Sequence, residues 1–111
     1  MIDRGTVVSC FHWGKEGRPG IVLRVCPDGR LFVVVGTKSP PSPAEYVHEQ
    51  ADAIVVHASE RYARILRLSV DTWFKKAGGK FVSPEKVSVR SSEKCPADLL
   101  RRFDKLFGLQ L

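Results

Sequence analysis

The sequence lacks the long hydrophobic runs and catalytic signatures that would assign it at once to a familiar class. No apolar stretch approaches the roughly 18 residues that a membrane-spanning helix needs, and the first residues do not form a signal peptide. We therefore expect a cytoplasmic protein with no membrane partner. No glycine-rich cofactor loop or nucleophile–base motif is present, so a small-molecule enzyme has almost no support and no cofactor is expected.

Paired cysteines are also missing. The three cysteines, Cys10, Cys26 and Cys95, are odd in number and far apart, and none belongs to a C-x-x-C pair. This spacing supports neither a zinc site nor a disulfide framework. Cys10 and Cys26 fall in apolar segments, and we interpret them as small core residues.

The composition is that of a basic globular domain. The chain has 111 residues, 43% of them hydrophobic, and a net charge of +6. Its length fits a single domain over residues 1–111. The basic balance favours a polyanionic partner, chiefly nucleic acid, because lysine and arginine neutralise phosphates. A basic surface that is only solvated is the alternative.

The strongest local signal is a β-hairpin. Two β-prone runs, Ile21–Val25 and Leu31–Val35, flank the turn sequence Pro27-Asp28-Gly29. An antiparallel hairpin brings its open ends together, so Arg18, just before the first strand, and Thr37, just after the second, should be neighbours. We expect the functional residues at these ends.

The remaining segments are short. Further extended segments are expected at 6–11, 53–57, 81–84 and 86–90, and loops at 12–17, 38–45 and 75–80. Residues 62–68 fit a strand and a helix equally well.

The C-terminus predicts an amphipathic helix that starts at Pro96 and ends at Gly108. Its apolar stripe comprises Leu99, Leu100, Phe103, Leu106 and Phe107, and its polar face comprises Arg101, Arg102, Asp104 and Lys105. The stripe must pack either on the chain's own sheet or on a second subunit. Together these elements predict a mainly β fold, a small, partly open barrel with a C-terminal amphipathic helix.

Three motifs, in this order and spacing, resemble the PemK/MazF family. They are Gly5-Thr6-Val7-Val8, the segment Gly17–Leu23 with its Arg18-Pro19 pair, and Gly36-Thr37-Lys38-Ser39. Asp71-Thr72-Trp73-Phe74 is similar to a segment found in one branch of that family. The sequence departs from the family at Thr6, where an aspartate is usual, in a short loop before Arg18, and in the proline-rich segment after Ser39.

The resemblance implies an SH3-like barrel that forms a homodimer. It further implies a toxin of a toxin–antitoxin pair, a metal-independent and sequence-specific endoribonuclease that cleaves single-stranded RNA and is neutralised by a cognate antitoxin peptide. Residue by residue, the family's key arginine and threonine fall on Arg18 and Thr37.

Physical chemistry agrees with these roles. Arg18 can clamp a phosphate and stabilise the charge that develops on it, while Thr37 holds a phosphate oxygen or the leaving 5′-oxygen. Other candidate RNA contacts are Trp13, Lys15, Lys38, Ser39, Tyr46 and Lys80. His12 is the preferred candidate acid or base.

Plainer interpretations of the same residues stay open. Arg18 is equally explained as a solvated loop residue, and Thr37 as a strand end that hydrogen-bonds its own turn. The alternative to the nuclease is a non-catalytic SH3-like barrel, of the kind a phage or plasmid encodes, that holds a protein or nucleic-acid partner in the same groove.

Overall fold

A computed structural model of the chain describes residues 2–11, 17–39 and 53–109. The predictions made for His12, Trp13, Lys15 and Tyr46, and for most of the proline-rich loop, lie outside these residues. The strands are β1 (Val7–Cys10), β2 (Arg18–Val25), β3 (Leu31–Thr37), β4 (Ala53–Val56), β5 (Thr72–Val82) and β6 (Val87–Val89), and the helices are α1 (Arg61–Leu66) and α2 (Ala97–Phe107).

The six strands found in the described residues belong to one antiparallel sheet. Their order is β4-β5-β3-β2-β1-β6, and in the part of the chain that the structure describes the edge strands β4 and β6 do not pair with each other. The predicted class, mainly β with a C-terminal helix, is therefore confirmed, and the sheet is open. No helix in residues 2–11, 17–39 or 53–109 is long and apolar enough to cross a membrane.

The sheet buries apolar side chains on both faces. Toward the helices it buries Val7, Ile21, Leu23, Val34, Ile54, Val56 and Phe74, together with Ala63, Leu66, Leu99 and Phe103 of α1 and α2. The opposite face buries an inner cluster of Val8, Cys10, Val22, Leu31, Val33, Val35 and Val82. Register shifts in the β2–β3 and β3–β5 pairings bend the strands. We infer that the sheet curls around the inner cluster.

The predicted hairpin is confirmed. The turn closes with Cys26 N–H donating to Arg30 O at 2.8 Å and Gly29 N–H donating to Cys26 O at 2.9 Å. Gly29 has φ +90°, a conformation that glycine adopts without steric cost. The strands extend further than expected, so Arg18 is the first residue of β2 and Thr37 the last of β3. Cys26 is half-buried at the start of this exposed turn and not in the core, so its assignment as a core residue is wrong.

Helix α2 packs on the chain's own sheet. Leu99 and Phe103 are 0% exposed, and the Phe103 ring meets Phe74 edge to face at 5.3 Å between centroids. Leu100, Leu106 and Phe107 pack against the same core cluster and are partly buried. The stripe thus packs on the chain's own sheet, which is the first of the two predicted alternatives. Gly108, with φ +67°, ends the helix as predicted.

Asp104 corrects the prediction of a wholly polar outer face for α2, since its side chain is only 6% exposed. Arg4 donates from Nη2 to Asp104 Oδ2 at 2.6 Å and from Nη1 to Oδ1 at 2.9 Å. The same Nη1 donates to Leu23 O at 2.9 Å. This paired guanidinium joins the start of the chain, β2 and α2.

Two local expectations are settled by tertiary contacts. The ambiguous segment 62–68 falls mainly in helix α1, because Ala63 and Leu66 recur at helical spacing and are buried. The loop expected at 75–80 is wrong, because these residues belong to β5. Gly78 allows a close approach to the β3 backbone, Gly79 leaves room for the Phe107 ring of α2, and neither interrupts the strand.

We predict that Arg4→Ala lowers the free energy of unfolding by about 2–4 kcal/mol, because it leaves a buried carboxylate without its partner. Arg4→Lys keeps the charge but not the bidentate geometry, so its free energy of unfolding should lie between those of the wild type and of Arg4→Ala. Urea denaturation measures the difference. Arg24→Ala removes an exposed β2 arginine as a control; equal stabilities of the two alanine variants would contradict this role for Arg4.

Candidate nucleic-acid interface

Arg18 and Thr37 meet at the open end of the hairpin. The β2–β3 pairing runs as far as Gly20↔Val35, and the same register, continued by two residues, sets Arg18 opposite Thr37. Arg18 is held on its other side by Cys10 of β1, and Thr37 by Trp73 of β5. Neighbouring strands therefore fix the backbone of both residues, although 19 positions separate them in the sequence.

A cavity of about 300 Å³ opens at this place. Its lining residues are Arg18, Val35, Gly36, Thr37, Lys75, Ala77, Gly78 and Lys80. Three residues chosen from the sequence, Arg18, Thr37 and Lys80, thus surround one cavity. Lys38 and Ser39 are exposed beyond Thr37 and do not line it.

A bulge in β5 builds one wall of the cavity. Val34 pairs with Gly79 and Gly36 with Phe74, so the four residues 75–78 of β5 stand opposite the single residue Val35. Such an insertion bends a strand and redirects its side chains. It brings Lys75 to the cavity from a segment that the sequence had indicated as a loop. The signal that was available is the Gly78-Gly79 pair, since paired glycines inside a β-prone run mark a bulge as well as a turn.

The bulge requires glycine where its backbone passes β3. A Cβ at Gly78 would lie 2.6 Å from the carbonyl oxygen of Val35 and 3.1 Å from that of Lys75. Both contacts are with backbone atoms, which cannot swing aside as a side-chain end can. Position 78 therefore determines how closely the Lys75 wall approaches β3.

The Thr37 hydroxyl has a defined orientation. Its Oγ1 accepts the backbone N–H of Ser39 at 3.2 Å, the local turn that the sequence also allowed. Because that bond uses a lone pair, the hydroxyl hydrogen can still be donated to a ligand oxygen. The structural and the functional interpretations of Thr37 are therefore compatible.

The charged residues that line the cavity all have the same sign. Arg18, Lys75 and Lys80 are its charged lining residues, and the described lining contains no carboxylate and no imidazole. Cations and a hydroxyl donor around a small cavity favour an anion with several oxygen acceptors, such as a phosphodiester. The arrangement can bind and stabilise negative charge, but these residues supply no ordinary general base.

The cysteines are not part of this chemistry. Cys10, Cys26 and Cys95 are free thiols, and none lines the cavity. Burial raises the pKa of the Cys95 thiol to about 12, so it remains protonated and unreactive at neutral pH. Among the residues that the structure describes, no three histidine, cysteine, aspartate or glutamate side chains are grouped as a metal site would require.

Comparison with known proteins finds no family model that matches the chain and no matching curated protein. The resemblance noted in the sequence therefore rests on its motifs alone.

We predict that Gly78→Ala lowers the free energy of unfolding by about 1–3 kcal/mol, because the added methyl group forces β5 away from β3. Lys76→Ala, at an exposed position of the same bulge, should change it by less than about 0.5 kcal/mol. Chemical denaturation of both variants measures the difference. A Gly78→Ala protein as stable as the Lys76→Ala protein would show that the close approach is not tight.

Proposed function

We propose that the protein is an endoribonuclease that cleaves single-stranded RNA without a metal ion, by attack of the 2′-hydroxyl on the adjacent phosphate. The observation that carries the proposal is the convergence of Arg18, Thr37, Lys75 and Lys80 on one cavity of a basic chain. The motif resemblance supports it, because the same Arg18 and Thr37 occupy the positions of the family's key residues. A cytoplasmic toxin, a homodimer and an antitoxin peptide that covers the cavity belong to the same proposal.

The reaction makes one bond and breaks one. The 2′-oxygen bonds to phosphorus and the 5′-oxygen leaves, which yields a 2′,3′-cyclic phosphate and a 5′-hydroxyl end. Negative charge accumulates on the phosphate oxygens in between. Arg18 is permanently protonated and can contact two of those oxygens at once. Fixed donors of this kind contribute most where charge develops during the reaction.

Thr37 and the lysines have complementary tasks. With Oγ1 held by Ser39 N–H, the Thr37 hydroxyl donates to a phosphate oxygen or to the departing 5′-oxygen. Lys75 and Lys80 attract the RNA backbone from the β5 side, and a lysine ammonium can give a proton to the leaving oxygen. The proton of the 2′-hydroxyl needs an acceptor. His12 remains our candidate for that role from the sequence, and it lies outside the described residues.

One observation favours a second function, a non-catalytic barrel that binds nucleic acid through the same cavity. The described lining carries cations and a hydroxyl but no carboxylate or imidazole to take up a proton. Such a lining suffices for phosphate binding. Cleavage distinguishes the two functions, whereas binding alone does not.

We predict that the wild-type protein cuts a long, mixed-sequence single-stranded RNA in EDTA into discrete fragments with 2′,3′-cyclic phosphate ends. Arg18→Ala should reduce the rate by about 100-fold or more and Thr37→Val by about 10-fold or more, because each removes a donor to the developing charge. Arg18→Lys and Thr37→Ser should retain part of the activity. Gel electrophoresis of end-labelled RNA follows the rates.

Arg24→Ala is the matched control, because it removes an exposed arginine from the other end of the same strand. It should cut at the wild-type rate. Intact RNA with the folded wild-type protein would exclude the nuclease. In that case RNA binding that is lost in Arg18→Ala would establish the binding barrel.

A further inference from the structure

The face of the sheet that holds the cavity continues beyond it toward β4. Thr37 pairs with Trp73, and Trp73 pairs with Val55. Directly paired residues in antiparallel strands project to the same face, so the Trp73 side chain stands beside Thr37. Lys75 is two positions further along β5 and so lies on the same face as Trp73, because side chains alternate along a strand. Lys75 lines the cavity. Trp73 is partly exposed.

A histidine and an aspartate lie at the same end of the sheet. The β4–β5 register, continued one residue past Val56↔Thr72, sets His57 opposite Asp71. The side chains do meet, with His57 Nδ1 at 3.3 Å from Asp71 Oδ2, and each is about half exposed, at 51% and 49%. By alternation both belong to the face of Trp73. The paired residues Thr37, Trp73 and Val55 form a row across β3, β5 and β4, and this row spans two strand spacings, about 10 Å.

Backbone hydrogen bonds hold this pair in place. Asp71 Oδ1 accepts the N–H of Ala58 at 2.8 Å, and the N–H of His57 donates to Glu60 Oε2 at 2.6 Å. The Ala58 N–H, with His57 beside it, holds the pKa of the Asp71 carboxyl below its usual range. Because Nδ1 faces Asp71, the Nε2 edge of the imidazole points away from that carboxylate. An imidazole oriented in this way offers one defined hydrogen-bonding position.

We propose that Trp73 and the His57–Asp71 pair form a subsite for the nucleotide next to the phosphate in the cavity. In this subsite Trp73 stacks on an unpaired base, and His57 Nε2 hydrogen-bonds a polar group of the same nucleotide. Asp71 acts as a positioning residue for His57. The proposal rests on the proposed function, since it takes the cavity to hold a phosphate of single-stranded RNA.

The composition of the subsite matches its ligand. Single-stranded RNA is recognised mainly through stacking of splayed bases on aromatic rings and hydrogen bonds to their exposed edges. Stacking of one base contributes about 1–3 kcal/mol by alanine substitution, or roughly 5- to 150-fold in affinity. Trp73, which lies beside Thr37 and two residues from Asp71 along the chain, and the oriented imidazole of His57 provide both kinds of contact on one face of the sheet.

Tryptophan fluorescence tests the subsite directly. The chain has two tryptophans, so Trp13→Phe leaves Trp73 as the only one and keeps an aromatic ring at position 13. This protein is titrated with a 2′-O-methyl oligoribonucleotide, which cannot be cleaved because its 2′-oxygen is blocked. We expect saturable quenching of Trp73 emission. In the same background, His57→Ala should weaken binding by about 3- to 10-fold, as expected for one lost hydrogen bond.

Four further variants test the contacts that the subsite would make. In the Trp13→Phe background, binding of a fluorescein-labelled form of the oligonucleotide is followed by anisotropy, since these variants change Trp73 itself or its neighbours. Trp73→Leu should weaken binding by roughly 5-fold or more, and Trp73→Phe should bind nearly as the parent does. Asp71→Asn should weaken binding less than His57→Ala does. Combined with His57→Ala it should cause no further loss of affinity, because both substitutions act through the same imidazole. Glu85→Gln, at an exposed position beyond the far end of β5, is the charge-matched control for Asp71→Asn and should bind as the parent does.

The outcomes distinguish the subsite from the cavity. If Arg18→Ala weakens binding while Trp73 emission stays constant and His57→Ala binds within about 2-fold of the parent, the subsite is wrong and the cavity stands. If the wild-type protein does not bind the fluorescein-labelled oligonucleotide, both proposals are overturned. Urea denaturation of each variant confirms that a loss of binding does not come from a loss of folding.

Discussion

The approach of the β5 backbone to β3 at Gly78 is the constraint on which the rest of the structure depends. One long strand, β5, pairs with β4 through residues 72–75 and with β3 through residues 73–74 and 79–82, and residues 75–78 form a bulge opposite Val35 of β3. The bend contributes to the curl of the sheet around its inner cluster. It also delivers Lys75 to the cavity at the hairpin ends. A single backbone contact therefore links the shape of the sheet to the composition of the site.

The distribution of charge follows from the same architecture. Most of the acidic groups that the structure places are engaged in pairs away from the cavity, such as Asp104 with Arg4, Asp28 with Arg30 and Asp98 with Arg61. The charged residues of the described cavity lining are Arg18, Lys75 and Lys80, all of them cationic. These charged lining residues place positive charge where two strand ends leave room for a ligand, which is the condition for attracting a polyanion to one place.

Much of the fold could be predicted because local and tertiary preferences agree. The β2–β3 hairpin has its own turn chemistry at Pro27-Asp28-Gly29, and α2 has a full apolar stripe and a terminal glycine, so both were found with small boundary errors. The segment 75–80 was missed because a bulge and a loop have the same local composition. Only the pairing with β3 decides between them.

The site was partly predictable for a similar reason. Arg18 and Thr37 follow from hairpin geometry, since the ends of a hairpin must meet whatever else the chain does. The positions of Lys75 and Trp73 beside the cavity follow from the pairing of β5 with β3. Outside the site, the burial of Asp104 likewise follows from its pairing with Arg4, 100 residues away in the sequence. The local sequence indicates neither that β5 lies next to β3 nor that Arg4 lies next to Asp104. Pairing between distant segments is the information that a single sequence leaves out.

The central claim is that the cavity at the hairpin ends holds a phosphate of single-stranded RNA. Amide chemical shifts of the isotope-labelled protein, recorded during titration with a short 2′-O-methyl oligoribonucleotide, test it most directly. We predict that the largest changes fall on Arg18, Thr37, Lys75 and Gly78. Changes centred on the exposed basic side of α2, around Arg101 and Arg102, with the cavity residues unmoved, would contradict it.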